Sequence, residues 1–293
     1  MTPPPSRGTY QRRRAVAALG VVAVVVALVA ALGRGDEPSK PASRTAARTS
    51  APAPARPRPR TDVAAIAARA NVPVLCYHQV RPLTSADAAQ DRVYIVPPKV
   101  LETQFAALER AGYTSVSADD VAAHMADGKP LPRKPVLITF DDASAGQYTR
   151  ALPILRRHGF KATFFVMTVV LGKEGWLTKG QVRALDRAGM EIGGHTWDHQ
   201  AVPEYAGDDW RVQVTEPKAE LEKIVGHPLD VFAYPFGSWN AAAFARLREA
   251  RFKIAFQLAD KLDPTTPMLT ARRVLVGPDV GGGELLEMIR QDF

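Results

Sequence analysis

From Asn71 onward the chain alternates short apolar runs with amphipathic stretches, a pattern that predicts strands separated by helices. "VPVLCYH" reads as a strand, and "PPKVLETQFAALERAGY" as a helix with Val100, Phe105 and Leu108 on one face and Gly112 as its stop. "YTSV" is a short strand, "SADDVAAHMADGK" a helix capped by Ser117, and "PVLITF" a strand. The series continues with helix "AGQYTRALPILRRHGF" ended by Gly159, strand "KATFFV", helix "TKGQVRALDRAGM" and strand "EIGGH". It closes with "DWRVQVTEPKAELEKIVG", mostly helical despite Pro217, then strand "VFAYPF", helix "NAAAFARLREARF" and strand "KIAFQL". Strands that are apolar almost throughout belong to a parallel sheet covered on both faces, and this many units in one domain predict an α/β barrel. An open doubly wound sheet is the alternative, and both place functional residues at the C-terminal strand ends.

The first 60 residues follow a different pattern. Arg12, Arg13 and Arg14 precede an uncharged apolar run from Ala15 to Gly33, which describes a signal peptide or a signal-anchor helix over residues 1–34. The length of the run suits a retained span, while Val29-Ala30-Ala31 offers small residues for cleavage, and the adjacent arginines suit a twin-arginine route. Either way the expectation is an exported protein, membrane-anchored or secreted, with the domain outside. Residues 35–61 are rich in Pro, Ala, Ser, Thr and Arg and read as a disordered linker to a domain over 62–293. The linker and leader also account for the charge. Of the formal +8, residues 1–61 contribute +9 and residues 62–293 contribute −1, so the basic balance gives no reason to expect nucleic-acid binding by the domain. With one cysteine, Cys76, no intramolecular disulfide forms, and its place in "VPVLCYH" is that of a small buried residue.

Candidate chemistry concentrates at the predicted strand ends: Tyr77-His78, Asp141-Asp142, His195 with His199, and Tyr234-Pro235-Phe236-Gly237. A hydrolytic zinc site takes three protein ligands and keeps an open position for water. His195 and His199 have a spacing that lets two imidazoles meet one ion, one carboxylate completes the set, and the second carboxylate is placed to take a proton from the activated water. Each feature alone has a plainer reading. An HxxxH pair is often a surface feature, an Asp-Asp pair after a strand often caps a helix, and a lone His78 is usually packed or hydrogen-bonded. Their joint placement argues for a site. His124, His158 and His227 have structural explanations in a helix, a helix end and a turn, and receive no chemical role.

"TFDD" at 139–142, "HTWDH" at 195–199 and "YPFG" at 234–237 resemble the first three motifs of the polysaccharide deacetylases, the NodB-like carbohydrate esterases of family 4. The resemblance runs from about Pro73 to about Val276, and "VLCYHQV", "GYTSVSADD" and "FAYPFGSWN" look most like the branch acting on poly-N-acetylglucosamine. It implies a distorted (β/α) barrel of the NodB type. It also implies a divalent ion, generally Zn2+, held by Asp142, His195 and His199, with Asp141 as general base. The Phe236 peptide would donate to the oxyanion, and His78 would protonate the departing amine. Tyr234, Trp197 and Trp239 are candidates for contact with sugar faces.

Three departures from the family pattern stand out. Ala143 replaces a usual Gly, Ala233 replaces an arginine that in many relatives pairs with the base, and "RRVLVGPDV" lacks the late histidine that serves classical members as acid. The expected function is metal-dependent N-deacetylation of an extracellular N-acetylhexosamine polymer, poly-β-1,6-N-acetylglucosamine favoured. Peptidoglycan, chitin or O-acetylated xylan are the alternative substrates within the family, and a catalytically silent wall-binding domain or a tethered interaction protein are alternatives outside it. Expected partners are the polysaccharide itself, the membrane if the leader is retained, and components of a polymer-producing system.

Overall fold

The computed structural model describes residues 62–293; the expected leader over 1–34 and linker over 35–61 lie outside the described residues. The frame is a set of parallel strands: β1 (Val74–Tyr77), β4 (Thr114–Val116), β5 (Pro135–Phe140), β6 (Thr163–Val166), β7 (Glu191–Gly194), β8 (Val231–Ala233), β9 (Ile254–Phe256) and β10 (Val274–Leu275). A further short parallel pair, β2 (Gln79–Val80) and β3 (Ile95–Val96), closes a loop beside the end of β1. The order in the main sheet is β10-β1-β5-β6-β7-β8-β9, with β4 also on β5.

Two details make this sheet a distorted barrel. Leu137 pairs with Val74 of β1 and Val116 of β4, while Phe140 pairs with Tyr77 of β1 and Phe164 of β6. β4 and β6 therefore share one edge of β5, the first along its lower half and the second along its upper half. The ring is joined at its other side by the segment before β10: Ala271 bridges Phe256 of β9, and Leu275 pairs with Cys76 of β1. Sequence reading found neither β10 nor the final helix Gly282–Asp292, nor the short pair β2/β3.

Side-chain parity sorts the core into layers, because successive strand residues face opposite sides. Val74, Leu137, Phe165, Val231, Ala233, Ile254, Phe256 and Ala271 form one buried cluster, which is the barrel interior. Its lower end is plugged by helix Ala118–Asp127, through Val121, Ala122 and Met125. Ser117 caps that helix in a capping box with Asp120, and the Glu191 carboxylate accepts from the Ala118 and Asp119 amides at 2.7 and 3.0 Å. The opposite parity, including Leu75, Tyr77, Ile138, Phe140, Phe164, Val166 and Ile192, packs outward under the helices. Phe232, Tyr234 and Ala255 do the same under helix Ala241–Glu249, against Phe244 and Leu247.

Two helices deviate from the regular pattern predicted for them. Each begins with a π-turn, at Gln147–Ala151 and at Arg211–Thr215, before the α-helical portions Leu152–Arg157 and Glu216–Val225. The second accommodates Pro217, which sits in the first turn of the α-helical part, where a missing N–H costs least. Among the described residues no helix is long and apolar enough to cross a membrane.

Candidate active site

The inward parity at the upper strand ends assembles the site. It carries Cys76 on β1 and His78 just after it, Thr139 on β5 and Asp141 just after it, His195 just after β7, and Arg273 just before β10. Beyond the regular strands the backbone turns sharply. Asp142, Ala143, Thr196, His199 and Phe236 all have positive φ, between 59° and 75°. For residues with a Cβ such angles cost roughly 1 kcal/mol or more each and concentrate at functional sites. Here they swing Asp142 back over the barrel mouth beside Asp141, and they bring His199 under the Phe236 ring, the two ring centroids 4.4 Å apart.

Asp142 Oδ1 lies 3.4 Å from His195 Nε2 and 3.4 Å from His199 Nε2. His195 Nδ1 is 2.8 Å from the Ala233 carbonyl, which can only accept, so this nitrogen is the donor and Nε2 presents its lone pair to the carboxylate. Asp142 Oδ1 and His195 Nε2 are both buried and lack a hydrogen-bond partner. Two buried acceptors facing each other require a proton or a cation between them. A separation of 3.4 Å is also about the edge of a tetrahedron whose corners lie about 2.0–2.1 Å from its centre, the zinc–ligand distance for these donors. The Asp-His-His set thus fits a divalent ion. Burial would lower the His195 pKa, but Asp141 and Asp142 beside it raise it overall. Burial and the neighbouring His195 hold His199 down to about 4, so His199 is neutral and ready to ligate near neutral pH.

Asp141 is 2% exposed and held by Arg273, whose two terminal nitrogens donate to Oδ1 and Oδ2 at 2.7 and 2.8 Å. The same guanidinium donates to Thr139 Oγ1 at 3.2 Å and to the Gln257 carbonyl at 3.0 Å. Burial pushes the Asp141 carboxyl upward, while Arg273 and then His195 pull it down, leaving it below the usual carboxylate range. Asp141 Oδ2 is 4.0 Å from His195 Nε2, so the second carboxylate borders the ion position without joining it. Sequence reading missed Arg273. The available signal was a charged residue opening the apolar run "RVLV", where a buried arginine needs a buried acid, together with Ala233 standing where Asp141 would otherwise find its cation.

On the other side of Asp141 stand Cys76 and His78. The Cys76 thiol donates to Asp141 Oδ2 at 3.6 Å, and burial pushes its pKa well up, so it is a neutral donor there. The ligand atoms of Cys76, His78 and Asp141 lie within 4.8 Å of one another. The His78 ring rests against Tyr94 with centroids 4.9 Å apart, and its buried Nδ1 has no partner. Burial lowers the His78 pKa, opposed by Asp142 and Asp141.

The aromatic expectations divide. Phe236 is 64% exposed at the rim, and its amide is the first of the turn Pro235–Gly237, a position with no acceptor inside the turn. Tyr234, expected to touch sugar, instead shares the outward parity of Phe232, is buried, and donates its hydroxyl to the Leu269 carbonyl at 3.0 Å. Trp197 is buried, and Trp239 is half-buried with Nε1 donating to Gln257 Oε1 at 2.7 Å. His124, His158 and His227 lie outside the site: His124 meets the Lys129 carbonyl, His158 sits between Glu102 and Glu109, and His227 pairs with Asp186.

A parallel barrel thus presents an Asp-His-His corner that could hold a metal ion, beside a second, arginine-held carboxylate. Comparison with known proteins specifies the family. Residues 128–255 match the family model described as polysaccharide deacetylase. The chain is 26% identical to YxkH of Bacillus subtilis over 73% of this chain and 74% of that one. It is 25% identical to the poly-β-1,6-N-acetyl-D-glucosamine N-deacetylase of Escherichia coli, over 69% of this chain but only 37% of that enzyme. Among solved structures, IcaB from Ammonifex degensii superposes with a TM-score of 0.63 at 26% identity, covering 75% of this chain and 96% of that one. The fold is also that of the Streptococcus pyogenes deacetylase PplD, with a TM-score of 0.69 over 74% of this chain and 97% of that chain. Residues 128–255 thus carry a polysaccharide deacetylase domain of the NodB, carbohydrate esterase family 4 type.

Proposed function

We propose that this protein is a divalent-metal-dependent N-deacetylase of an extracellular N-acetylglucosamine polymer, with poly-β-1,6-N-acetylglucosamine as the favoured substrate. The observation that carries the reading is the triangle of Asp142, His195 and His199, with 3.4 Å edges from Asp142 Oδ1, bordered by an ionised Asp141 held on Arg273. The E. coli relative supports the choice of linkage. The apolar run Ala15–Gly33 supports export, by secretion or retention at the membrane, to where a surface polymer would be met.

Bound at Asp142, His195 and His199, a zinc ion would supply Lewis acidity toward water and the acetamide carbonyl. The remaining tasks fall to the chain. His195 is fixed in its tautomer by the Ala233 carbonyl, and the backbone of His199 is held by its amide, which donates to Thr196 Oγ1 at 3.1 Å. Asp141 takes a proton from the attacking water; Arg273 keeps it ionised and oriented for that step. The Phe236 amide donates to the oxygen on which charge develops. His78, within 4.8 Å of Asp141 through its ligand atom, delivers a proton to the departing nitrogen, which leaves as a free amine while acetate is released. Phe236 and Tyr94, on the His199 and His78 sides, are the aromatic surfaces placed to meet a sugar ring.

The test is acetate release by the purified protein from β-1,6-linked and β-1,4-linked N-acetylglucosamine oligomers, with chelator and with zinc restored. Release from the β-1,6 oligomers that chelator abolishes and zinc restores is the expected result. Release from peptidoglycan fragments alone would move the substrate to the wall polymer, and no release from any of them with zinc bound would refute the reading.

A further inference from the structure

We infer that Gln147 is a positioning residue: its side-chain amide ties the peptide carrying His78 to the peptide carrying Asp141 and so fixes the spacing of proton donor and base. The inference deepens the deacetylase reading and rests on it for those two roles.

β1 and β5 are paired through Tyr77 and Phe140, and the last backbone bond between them runs from the Asp141 amide to the Tyr77 carbonyl at 2.9 Å. One residue further, both strands end and both carbonyls lie next to buried chemistry. Gln147 Nε2 donates to both, to His78 O at 3.0 Å and to Asp141 O. A side chain thus extends the ladder by one rung, and the rung lies between the two residues whose separation governs proton transfer. Gln147 is fully buried, so removing its amide leaves two carbonyls unpaired rather than exposed to water.

The local sequence is built to deliver this side chain. Gln147 opens the π-turn Gln147–Ala151, whose wider helical step rotates the side chain toward the strand ends. The preceding Gly146 sits so close to β2 that a Cβ there would lie 2.1 Å from the Val80 carbonyl oxygen. Only glycine lets the turn dock against the strand that follows His78. The second π-turn repeats the device. Its buried Gln213 accepts the amides of Trp197 and Asp198 at 3.3 and 3.4 Å and donates to Asp198 Oδ1 at 2.8 Å, gripping the loop between His195 and His199. Two glutamines of like burial therefore hold different halves of the site. Gln147 serves the acid and the base, and Gln213 serves the metal ligands.

That division gives the test, made on the full-length protein by comparing Gln147→Leu with Gln213→Leu. Gln147→Leu is expected to keep one equivalent of zinc and a KM within about twofold while kcat falls about tenfold to a hundredfold, the loss associated with displacements of about an ångström. Gln213→Leu is expected to weaken zinc binding instead. In Gln147→Glu, a protonated carboxyl restores one of the two donated bonds. Its activity relative to wild type at the same pH therefore rises as pH falls, a readout available even where Gln147→Leu fails to fold. A wild-type kcat in Gln147→Leu, a kcat loss that tracks zinc loss, or a pH-independent ratio for Gln147→Glu would each overturn the inference. Should wild type release no acetate from any polymer, the deacetylase reading fails separately. Amide hydrogen exchange then decides on the tether: Gln147→Leu must accelerate exchange at 77–80 and 141–144 but not at 197–200, and unchanged exchange overturns it.

Discussion

Replacing Arg273 by Met removes the only side-chain cation bonded to Asp141 among the described residues while nearly preserving volume. Four donated bonds are lost, two to Asp141 at 2.7 and 2.8 Å, one to Thr139 Oγ1 at 3.2 Å and one to the Gln257 carbonyl at 3.0 Å. The Asp141 carboxylate, 2% exposed, is then a buried charge whose remaining nearby partners are the Cys76 thiol, His195 and His78. Breaking a buried pair from one side typically costs about 3–5 kcal/mol. The cost has a defined pH dependence. In wild type the Asp141 pKa lies below its unfolded value, so the stabilisation is complete above about pH 4 and is lost only as pH falls through the lowered folded pKa. In Arg273→Met, burial is largely unopposed and the folded pKa rises above the unfolded one. The variant then loses stability as pH rises from about 4 toward that new pKa, because its unfolded state sheds the proton first.

Stability and catalysis can each be read for this effect. Urea unfolding of both proteins between pH 4.5 and 8 should show a gap that widens with pH toward about 3–5 kcal/mol. The acid limb of kcat/KM for acetate release should move toward neutrality in the variant, since Asp141 must lose its proton before it can act as base. A gap below about 1 kcal/mol at every pH, with the acid limb unmoved, would refute the assignment of Arg273 as the residue that keeps the base ionised.

Zinc affinity should fall as pH drops below the raised pKa of His195, about tenfold per unit, because each ion then displaces one proton, whereas His199, held near 4, adds no second proton until more acid conditions; calorimetric titration across pH 5–8 reads this slope. Ala143→Gly removes a left-handed strain at φ 72° worth roughly 1–2 kcal/mol, less about 0.5–1 kcal/mol for the added freedom of the unfolded chain, so the urea midpoint should stay level or rise while zinc content is unchanged. Tyr234→Phe deletes one bond to Leu269 O under an outer helix and should cost about 1 kcal/mol of stability with kcat and KM near wild type; a KM increase of tenfold would return Tyr234 to the substrate surface.

Alternation of apolar runs with amphipathic stretches was enough to place β1 and β4 to β9, because each carries a buried segment bounded by Gly, Pro or a helix cap. The candidate metal-binding set was legible for the same reason: Asp142, His195 and His199, which the structure brings together, follow strands that periodicity could find. What escaped detection was structure too short to have a period. β2, β3 and β10 are two residues each, and the π-turns at 147–151 and 211–215 read as ordinary helix because their apolar spacing differs from a helix by one residue. Tyr234 was misassigned through parity. In "VFAYPF" the inward positions are Val231 and Ala233, so Tyr234 falls on the helix side with Phe232, and proximity in sequence to Phe236 gave no warning.

Arg273 shows how the Asp141 carboxylate is held ionised without the arginine expected at the Ala233 position. Ala233 lies on the interior face of β8, beyond β7 from β5, where a long side chain could reach across the barrel; Arg273 reaches Asp141 from the opposite side, through the neighbourhood of β1. The ring explains why either origin suffices. In a barrel, inward residues from strands distant in sequence converge on one axis, so the requirement is a guanidinium of inward parity at the upper rim rather than a particular strand. The segment Ala271–Leu275 meets that requirement because it is the stave joining β9 to β1, its own register set by the Ala271–Phe256 and Leu275–Cys76 pairings. Closure of the barrel and ionisation of Asp141 therefore depend on the same short segment, and a lesion that loosens it should move stability and the acid limb of the pH–rate profile together.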